Sequence, residues 1–154
     1  MALIALALCV PLLWGPLLLK LAGAELLAFD GWVVSLVSGY RQQGNLVLAP
    51  GGEQGVLIYG GCSSLPDVSQ VIVLVAVLVQ FLKFRLDRRL MIASLLAVVG
   101  VILVNATRIS LIAHYPSSYD SLHRGMGSVA FGWLSLLVIL ACLAGGIRAA
   151  RFLR

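Results

Sequence analysis

Four long apolar runs restrict this chain to a membrane environment. A hydrocarbon core about 30 Å thick is crossed by roughly 20 mainly apolar residues in a helix, and the runs at 2–19, 66–82, 90–106 and 127–147 approach or reach that length. Only 11% of the 154 residues are charged, against roughly 25% in soluble domains. We therefore expect an all-α membrane protein with about four transmembrane helices, forming one multi-pass domain over residues 1–154.

The first apolar run has two interpretations. As a membrane span it is kinked, because it contains Pro11 and Pro16. As a signal peptide it offers Ala22 and Ala24 at the small-residue spacing of a cleavage site. A positively charged start is missing and the run is longer than most signal-peptide cores, which favours the span. Both interpretations leave the later spans oriented alike.

Residues 21–61 differ in character and predict a small extracytoplasmic cap between the first two spans. The stretch 24–40 predicts an amphipathic helix on the bilayer surface, with Trp32 and Tyr40 suited to the headgroup region. After it, "NLVLA" and "GVLIYG" flank "PGGEQ". This pattern predicts two short strands joined by a five-residue turn.

The basic residues indicate the topology. The loop "KFRLDRR" at 83–89 carries four positive charges and one negative, and the C-terminal tail adds Arg148, Arg151 and Arg154. Loops rich in Lys and Arg stay in the cytoplasm, so we expect both termini inside a plasma or inner membrane. The net charge of +5 is therefore explained by basic residues that set the membrane topology. The sequence has no basic face that would indicate a nucleic-acid partner.

The cysteines and histidines exclude a recognisable metal site. Cys9, Cys62 and Cys142 lie far apart, with neither the spacing of a zinc motif nor an even number for a disulfide framework. The chain has only two histidines, His114 and His123. We expect neither a metal nor an organic cofactor.

Cys62 is the first of three reactive residues that the predicted topology places at the extracytoplasmic face of the membrane. Ser63 or Ser64 is a candidate helix N-cap, and Pro66 suits the first turn of the following span. A thiol at a helix N-terminus is favoured as the nucleophilic thiolate. The alternative is that Cys62 is a small residue packed at a turn, as free cysteines often are.

Arg108 follows the third apolar run, with Asn105 one turn earlier on the same helical face. An arginine there can anchor the helix in the headgroups. A polar pair just inside the membrane boundary is also a candidate functional site. In that second interpretation the guanidinium would lower the pKa of a nearby thiol and bind an oxyanion.

His123 lies in the polar loop before the fourth run. A histidine imidazole can transfer protons near neutral pH, although a histidine in a loop is ordinarily a solvated surface group. His114 is the rival base, next to a Tyr-Pro turn. Asp120 or Asp67 could orient either imidazole.

The motifs "GCSSL", "NATRIS" and "HRGMGSVAFGW", in this order and each at the outer end of a predicted span, resemble the exosortase and archaeosortase family. The resemblance covers about 55–137 and implies Cys62 as nucleophile, with Arg108 and His123 as catalytic partners. Asn105 would be a supporting residue. Ser64 stands where that family usually has glycine, and the chain is shorter than many relatives.

The resemblance implies a membrane-embedded cysteine transpeptidase or protease. Its substrates would be secreted proteins with a C-terminal sorting signal similar to PEP-CTERM: a short motif, a transmembrane helix and a basic tail. Whether the acyl group passes to an acceptor amine or to water is left open. The alternative class is a non-enzymatic membrane scaffold or assembly subunit, in which the polar residues hold helices together.

Overall fold

The computed structural model describes residues 15–50, 55–84 and 86–151, with side chains as far as residue 148. The fold is mostly helical. The helices are α1 (Gly15–Ser38), α2 (Leu65–Gln80), α3 (Arg88–His114), α4 (Tyr119–His123) and α5 (Met126–Arg151). Short 3₁₀ turns at Gly60–Cys62 and Pro116–Ser118 precede α2 and α4.

Within these residues, two helices are long and apolar enough to cross a membrane: α3 and the Met126–Arg148 part of α5. Both present large exposed apolar side chains, such as Leu95, Leu103 and Leu137. The predicted span at 66–82 forms α2, whose 16 residues extend about 24 Å, less than a hydrocarbon core. Most of the predicted first span, together with Cys9, Arg85 and Arg154, lies outside the described residues.

Helix α3 extends beyond its predicted end. The apolar run suggested an end at Ala106, but the helix continues for eight more residues to His114. The added turns bury Ile109 and Ile112, and Ile109 packs against the sheet and α1 in a shared core. Contact with other elements of the chain thus continues the helix, and it places Arg108 inside α3 rather than at its end.

The predicted hairpin is confirmed, and a third strand joins it. Strands β2 (Leu46–Leu48) and β3 (Gly55–Leu57) pair antiparallel, and β1 (Arg41–Gln43) pairs with the other edge of β2. Residues 51–54 of the predicted turn lie outside the described residues. Fully buried Val47 of β2 packs with Val33, Val34 and Ile109, which holds the sheet against α1 and α3.

The predicted amphipathic segment is helical over its first 15 residues, as the second part of α1. A non-helical backbone at Ala22 (φ −134°, ψ 28°) kinks α1 before this segment. One face of the helix buries Asp30, Val33 and Val34, while Trp32 is half exposed. The buried face contacts the sheet and α3, so α1 supports the elements that surround the site.

Helices α3 and α5 approach closely along small residues. A side chain added at Gly100 would meet Val138, and a Cβ at Gly146 would lie 2.5 Å from Cβ of Ala93. Small residues at such contacts let helix backbones approach in apolar surroundings. The tight packing fixes the two longest helices relative to each other.

The adjacent glycines of α5 provide a test of this packing. We expect Gly146→Ala to destabilise the protein by about 1–3 kcal/mol, because overpacking forces backbone shifts. Gly145 has no atom within 4 Å of its added Cβ, so Gly145→Ala should be neutral or stabilising by up to about 1 kcal/mol. Unfolding of both variants in detergent measures the difference, and equal effects would contradict the close contact.

Candidate active site

Cys62 lies in the 3₁₀ turn that leads into α2. Its backbone N–H donates to the carbonyl of Tyr59 at 2.7 Å, so the glycine pair Gly60–Gly61 folds the chain tightly between these two residues. The side chain is only 6% exposed and shares a core with Ala106 and Ile109. It is therefore packed, as one interpretation expected, but it also lines a mainly apolar cavity beside the turn.

The capping of α2 differs from the prediction. Ser64 occupies the N-cap position without a side-chain cap bond, and Ser63 Oγ accepts from the Leu65 N–H at 3.2 Å. Buried Asp30 of α1 accepts from Ser64 twice, from its N–H at 3.1 Å and from its hydroxyl at 2.6 Å. A carboxylate at a helix N-terminus is stabilised by the dipole. At the start of α2, the N–H of Ser64 therefore donates to Asp30 rather than to Cys62.

His123 reaches Cys62 from the end of α4. Its Nδ1 lies 3.9 Å from Cys62 Sγ, and its Nε2 lies 2.6 Å from the hydroxyl of Tyr59. The ring stacks on Tyr119 with centroids 4.9 Å apart. A 3.9 Å contact is long for a hydrogen bond, but such bonds are often long without substrate. Of the two predicted bases, His123 is the one beside the thiol.

Tyr59, rather than Asp120 or Asp67, lies beside the imidazole of His123. A hydrogen bond with Tyr119 is the main cause that raises the pKa of Tyr59 to about 12, with burial and the nearby Cys62 adding to it. Tyr59 is consequently neutral at physiological pH. Asp67 instead accepts from Ser135 at 3.3 Å, and Asp120 is exposed on α4.

Asn105 connects Cys62 to Arg108. Its Nδ2 donates to the carbonyl of Cys62 at 2.9 Å, and its Oδ1 accepts from Arg108 Nη2 at 2.9 Å. The amide is 5% exposed, so both bonds form away from solvent. The Cys62 turn and the guanidinium are thereby held on the same part of α3.

Arg108 has an unsatisfied donor. Its Nε is buried and has no hydrogen-bond partner among the described residues. An unpaired buried donor is unfavourable, and more so for a charged group. Since Arg108 lines the same cavity as Cys62 and His123, a ligand oxygen entering that cavity could accept this bond.

The cavity has a volume of about 630 Å³, within the range of roughly 300–1,000 Å³ usual for ligand sites. Its wall is mainly apolar, and Arg108 is its only fixed charge among the described residues. The lining comes from the sheet, the Cys62 turn, α3 and the α4 region: Val47, Ala49, Gly55, Val56, Leu57, Tyr59, Cys62, Arg108, Ile109, Ile112, Ala113, Pro116, Tyr119 and His123.

His114, the rival base, lies elsewhere. It ends α3, where its Nδ1 is 2.8 Å from the carbonyl of Ser110 and its ring stacks on Tyr40 at 4.5 Å. It does not line the cavity. Across the parts of the chain that the structure describes, no three His, Cys, Asp or Glu side chains are grouped to hold a metal ion.

Sequence reasoning missed Tyr59 and Asp30. The signal for Tyr59 was the glycine pair in "YGGC", because a tight turn there brings residues 59 and 62 together. The signal for Asp30 was a single carboxylate within the apolar stretch "LLAFDGWVV", since a buried charge needs a partner. Neither pattern indicates which residue Tyr59 or Asp30 contacts.

No protein-family model, curated protein or solved structure matches this chain.

The Asp30–Ser64 contact can be measured by a double-mutant cycle. Because Asp30 accepts two hydrogen bonds from Ser64, we expect Asp30→Ala and Ser64→Ala to couple by about 1–3 kcal/mol in the free energy of unfolding. Asp120→Ala, at an exposed carboxylate, should change stability by about 0.5 kcal/mol or less. Additive effects of the Asp30 and Ser64 changes would show that the contact does not form.

Proposed function

We propose that this protein is a membrane-embedded cysteine transpeptidase or protease that removes a C-terminal sorting signal from secreted proteins. The observation that carries the proposal is the arrangement around one cavity: the Cys62 sulfur lies 3.9 Å from His123 Nδ1, and Arg108 lines the same space. A nucleophile beside a base and a cation is the constellation that acyl transfer requires. The motifs that resemble exosortases and archaeosortases indicate the substrate class.

The membrane orientation is part of the proposal. Arg88 begins α3 and Arg108 lies 20 residues further along it, which corresponds to about 30 Å, the thickness of a hydrocarbon core. Arg148 likewise lies near the far end of α5 from the cavity. The positive-inside rule places the basic ends in the cytoplasm. The cavity then opens outside, where a secreted protein held by its C-terminal helix would meet it.

The chemistry follows from the three side chains. Cys62 gives its proton to His123 and attacks the scissile carbonyl carbon, while Arg108 Nε donates to the developing oxyanion. The carbon–nitrogen bond breaks as His123 protonates the leaving amine, which leaves an acyl thioester on Cys62. An acceptor amine or water then attacks the thioester, and its proton passes through His123 to the departing sulfur.

Tyr59 orients the base in this mechanism. The hydroxyl oxygen of Tyr59 lies 2.6 Å from His123 Nε2 and can accept a hydrogen bond from Nε2–H. In that tautomer the lone pair of Nδ1 faces the Cys62 sulfur, as a base toward the thiol requires. Tyr59 is a positioning residue, because it acts through His123.

The central experiment uses the full chain reconstituted in liposomes with a reporter protein. The reporter ends in the tail of a secreted protein of the same genome, consisting of a short motif, an apolar helix and an arginine-rich end. Mass spectrometry should detect a released tail with the native chain and none with Cys62→Ala. Cys142→Ala, a change within the packed part of α5, should process normally. Unchanged processing by Cys62→Ala would contradict the nucleophile, and no release of the tail by the native chain would favour a scaffold.

The role of Arg108 has a separate test. Because Lys lacks the planar guanidinium and its Nε–H, Arg108→Lys should lower kcat by about 10²- to 10³-fold, as removal of an oxyanion donor does. Arg124 is exposed outside the cavity, so Arg124→Lys is the matched control and should retain native kcat. Equal kcat values for Arg108→Lys and the native chain would contradict the role of Arg108 as an oxyanion donor.

The Tyr59 role is tested without a substrate, by alkylating Cys62 with iodoacetamide across pH in a chain whose Cys9 and Cys142 are replaced by Ala. Losing one hydrogen bond to His123 should slow alkylation at neutral pH by about 3- to 10-fold in Tyr59→Phe. Since the pKa of Tyr59 is raised to about 12, the native phenol keeps its proton, and this difference should persist across the neutral pH range.

Tyr115 is exposed and does not line the cavity. Tyr115→Phe should therefore reproduce the native alkylation profile. If Tyr59→Phe also reproduces the native alkylation profile, the assigned tautomer of His123 is wrong, even though Tyr59 and His123 are adjacent.

A further inference from the structure

Strand β3 is the outer strand of the sheet, and its register shows which backbone groups are unpaired. The Ile58 N–H donates to the Asn45 carbonyl at 2.9 Å, and Val56 pairs with Val47 two residues earlier. Backbone groups of alternate residues face opposite edges of a strand. The N–H and C=O of Leu57 consequently point away from β2, toward an edge that no described strand occupies.

This edge borders the catalytic cavity. Gly55, Val56 and Leu57 all line it. Side chains of successive strand residues point to opposite faces of the sheet, so a lining that includes all three residues takes in the backbone of β3. Pro116 and Tyr119 lie on another part of the same wall. The cavity therefore has room for a chain beside β3.

The edge also leads directly to the nucleophile. The chain passes from Leu57 through Tyr59 into the turn that carries Cys62. A peptide lying along β3 advances about 3.3 Å per residue, so within a few residues of Leu57 its backbone reaches the Cys62–His123 contact. The unpartnered Nε of Arg108 is the donor available to a carbonyl oxygen at that point.

Among the residues that the structure describes, nothing of the usual kind protects the β3 edge. Exposed edges in proteins are commonly blocked by charged residues, prolines or a covering element. The sequence of β3 is Gly-Val-Leu, and Leu57 is 57% exposed. An unblocked edge beside a cavity is the arrangement by which extended peptides add a strand to a sheet.

We infer that the segment to be cleaved binds as an added β-strand along the free edge of β3, hydrogen-bonded to the backbone of Leu57, with its scissile carbonyl directed at Cys62 and Arg108. The occupant is an extended peptide with small or apolar side chains on the face toward Val56 and Ile112, because that wall of the cavity is apolar. Backbone pairing supplies affinity, and the side chains that face the wall supply selectivity. This inference rests on the proposed function.

The test compares Leu57→Pro with Leu57→Ala in the liposome assay. Proline removes the outward N–H, which an edge strand tolerates because the pairing with β2 does not use it. Losing that bond and adding the ring should raise KM about tenfold or more in Leu57→Pro, with kcat kept within about threefold. Leu57→Ala keeps the N–H, so it should raise KM by a several-fold smaller factor than Leu57→Pro does. Equal KM values for the two variants would overturn strand addition while leaving the proposed reaction in place.

A second measurement does not depend on turnover or on the folding of the proline variant. In Cys62→Ala, a peptide with the reporter's cleavage segment, apolar helix and basic tail should slow amide hydrogen exchange at Leu57 by about tenfold or more. The amide of Leu86, in the loop at the basic end of the molecule, should be unaffected. Unchanged exchange at Leu57 would overturn the inference, even if the native chain processes the reporter. Protection at Leu57 without processing would support it and contradict the proposed reaction.

Discussion

The amide of Asn105 holds together the two parts of the candidate site. Its hydrogen bond to the Cys62 carbonyl fixes the turn before α2 against α3, and its bond with Arg108 fixes the guanidinium on the same helix. Both bonds form where water is excluded, so breaking one would leave a buried polar group unpaired. The turn, the cation and the neighbouring wall of the cavity all take their positions from this contact.

Long-range contacts then complete the arrangement around Asn105. Asp30 secures the start of α2 from α1, and the sheet rests on the last turns of α3. These turns lie beyond the apolar run that predicted the helix, and their residues Ile109 and Ile112 line the cavity. Tyr59 and Tyr119 hold His123 at the rim. The cavity thus lies where the sheet meets the ends of the helices remote from their basic termini.

Patterns within short stretches of sequence predicted the helices and strands whose formation depends on residues close together in the chain. The alternation around "PGGEQ" predicted the β2–β3 hairpin, and the apolar runs predicted α2, α3 and α5 with ends wrong by up to eight residues. Topology alone placed Cys62, Arg108 and His123 on one face, and the structure brings them to one cavity. The partners of Asp30 and His123 could not be predicted, because they lie 34 and 64 residues away along the chain. The end of α3 depends in the same way on the sheet against which it packs.

The central claim is that Cys62 forms a covalent acyl intermediate in this cavity. Intact-mass analysis of the full chain in liposomes, quenched with acid during turnover of the tailed reporter, tests it most directly. The account predicts an adduct on Cys62 with the mass of the reporter's N-terminal fragment less one water, removable by hydroxylamine as a thioester is. Release of the tail with no adduct at Cys62, under conditions that slow the second step, would contradict it.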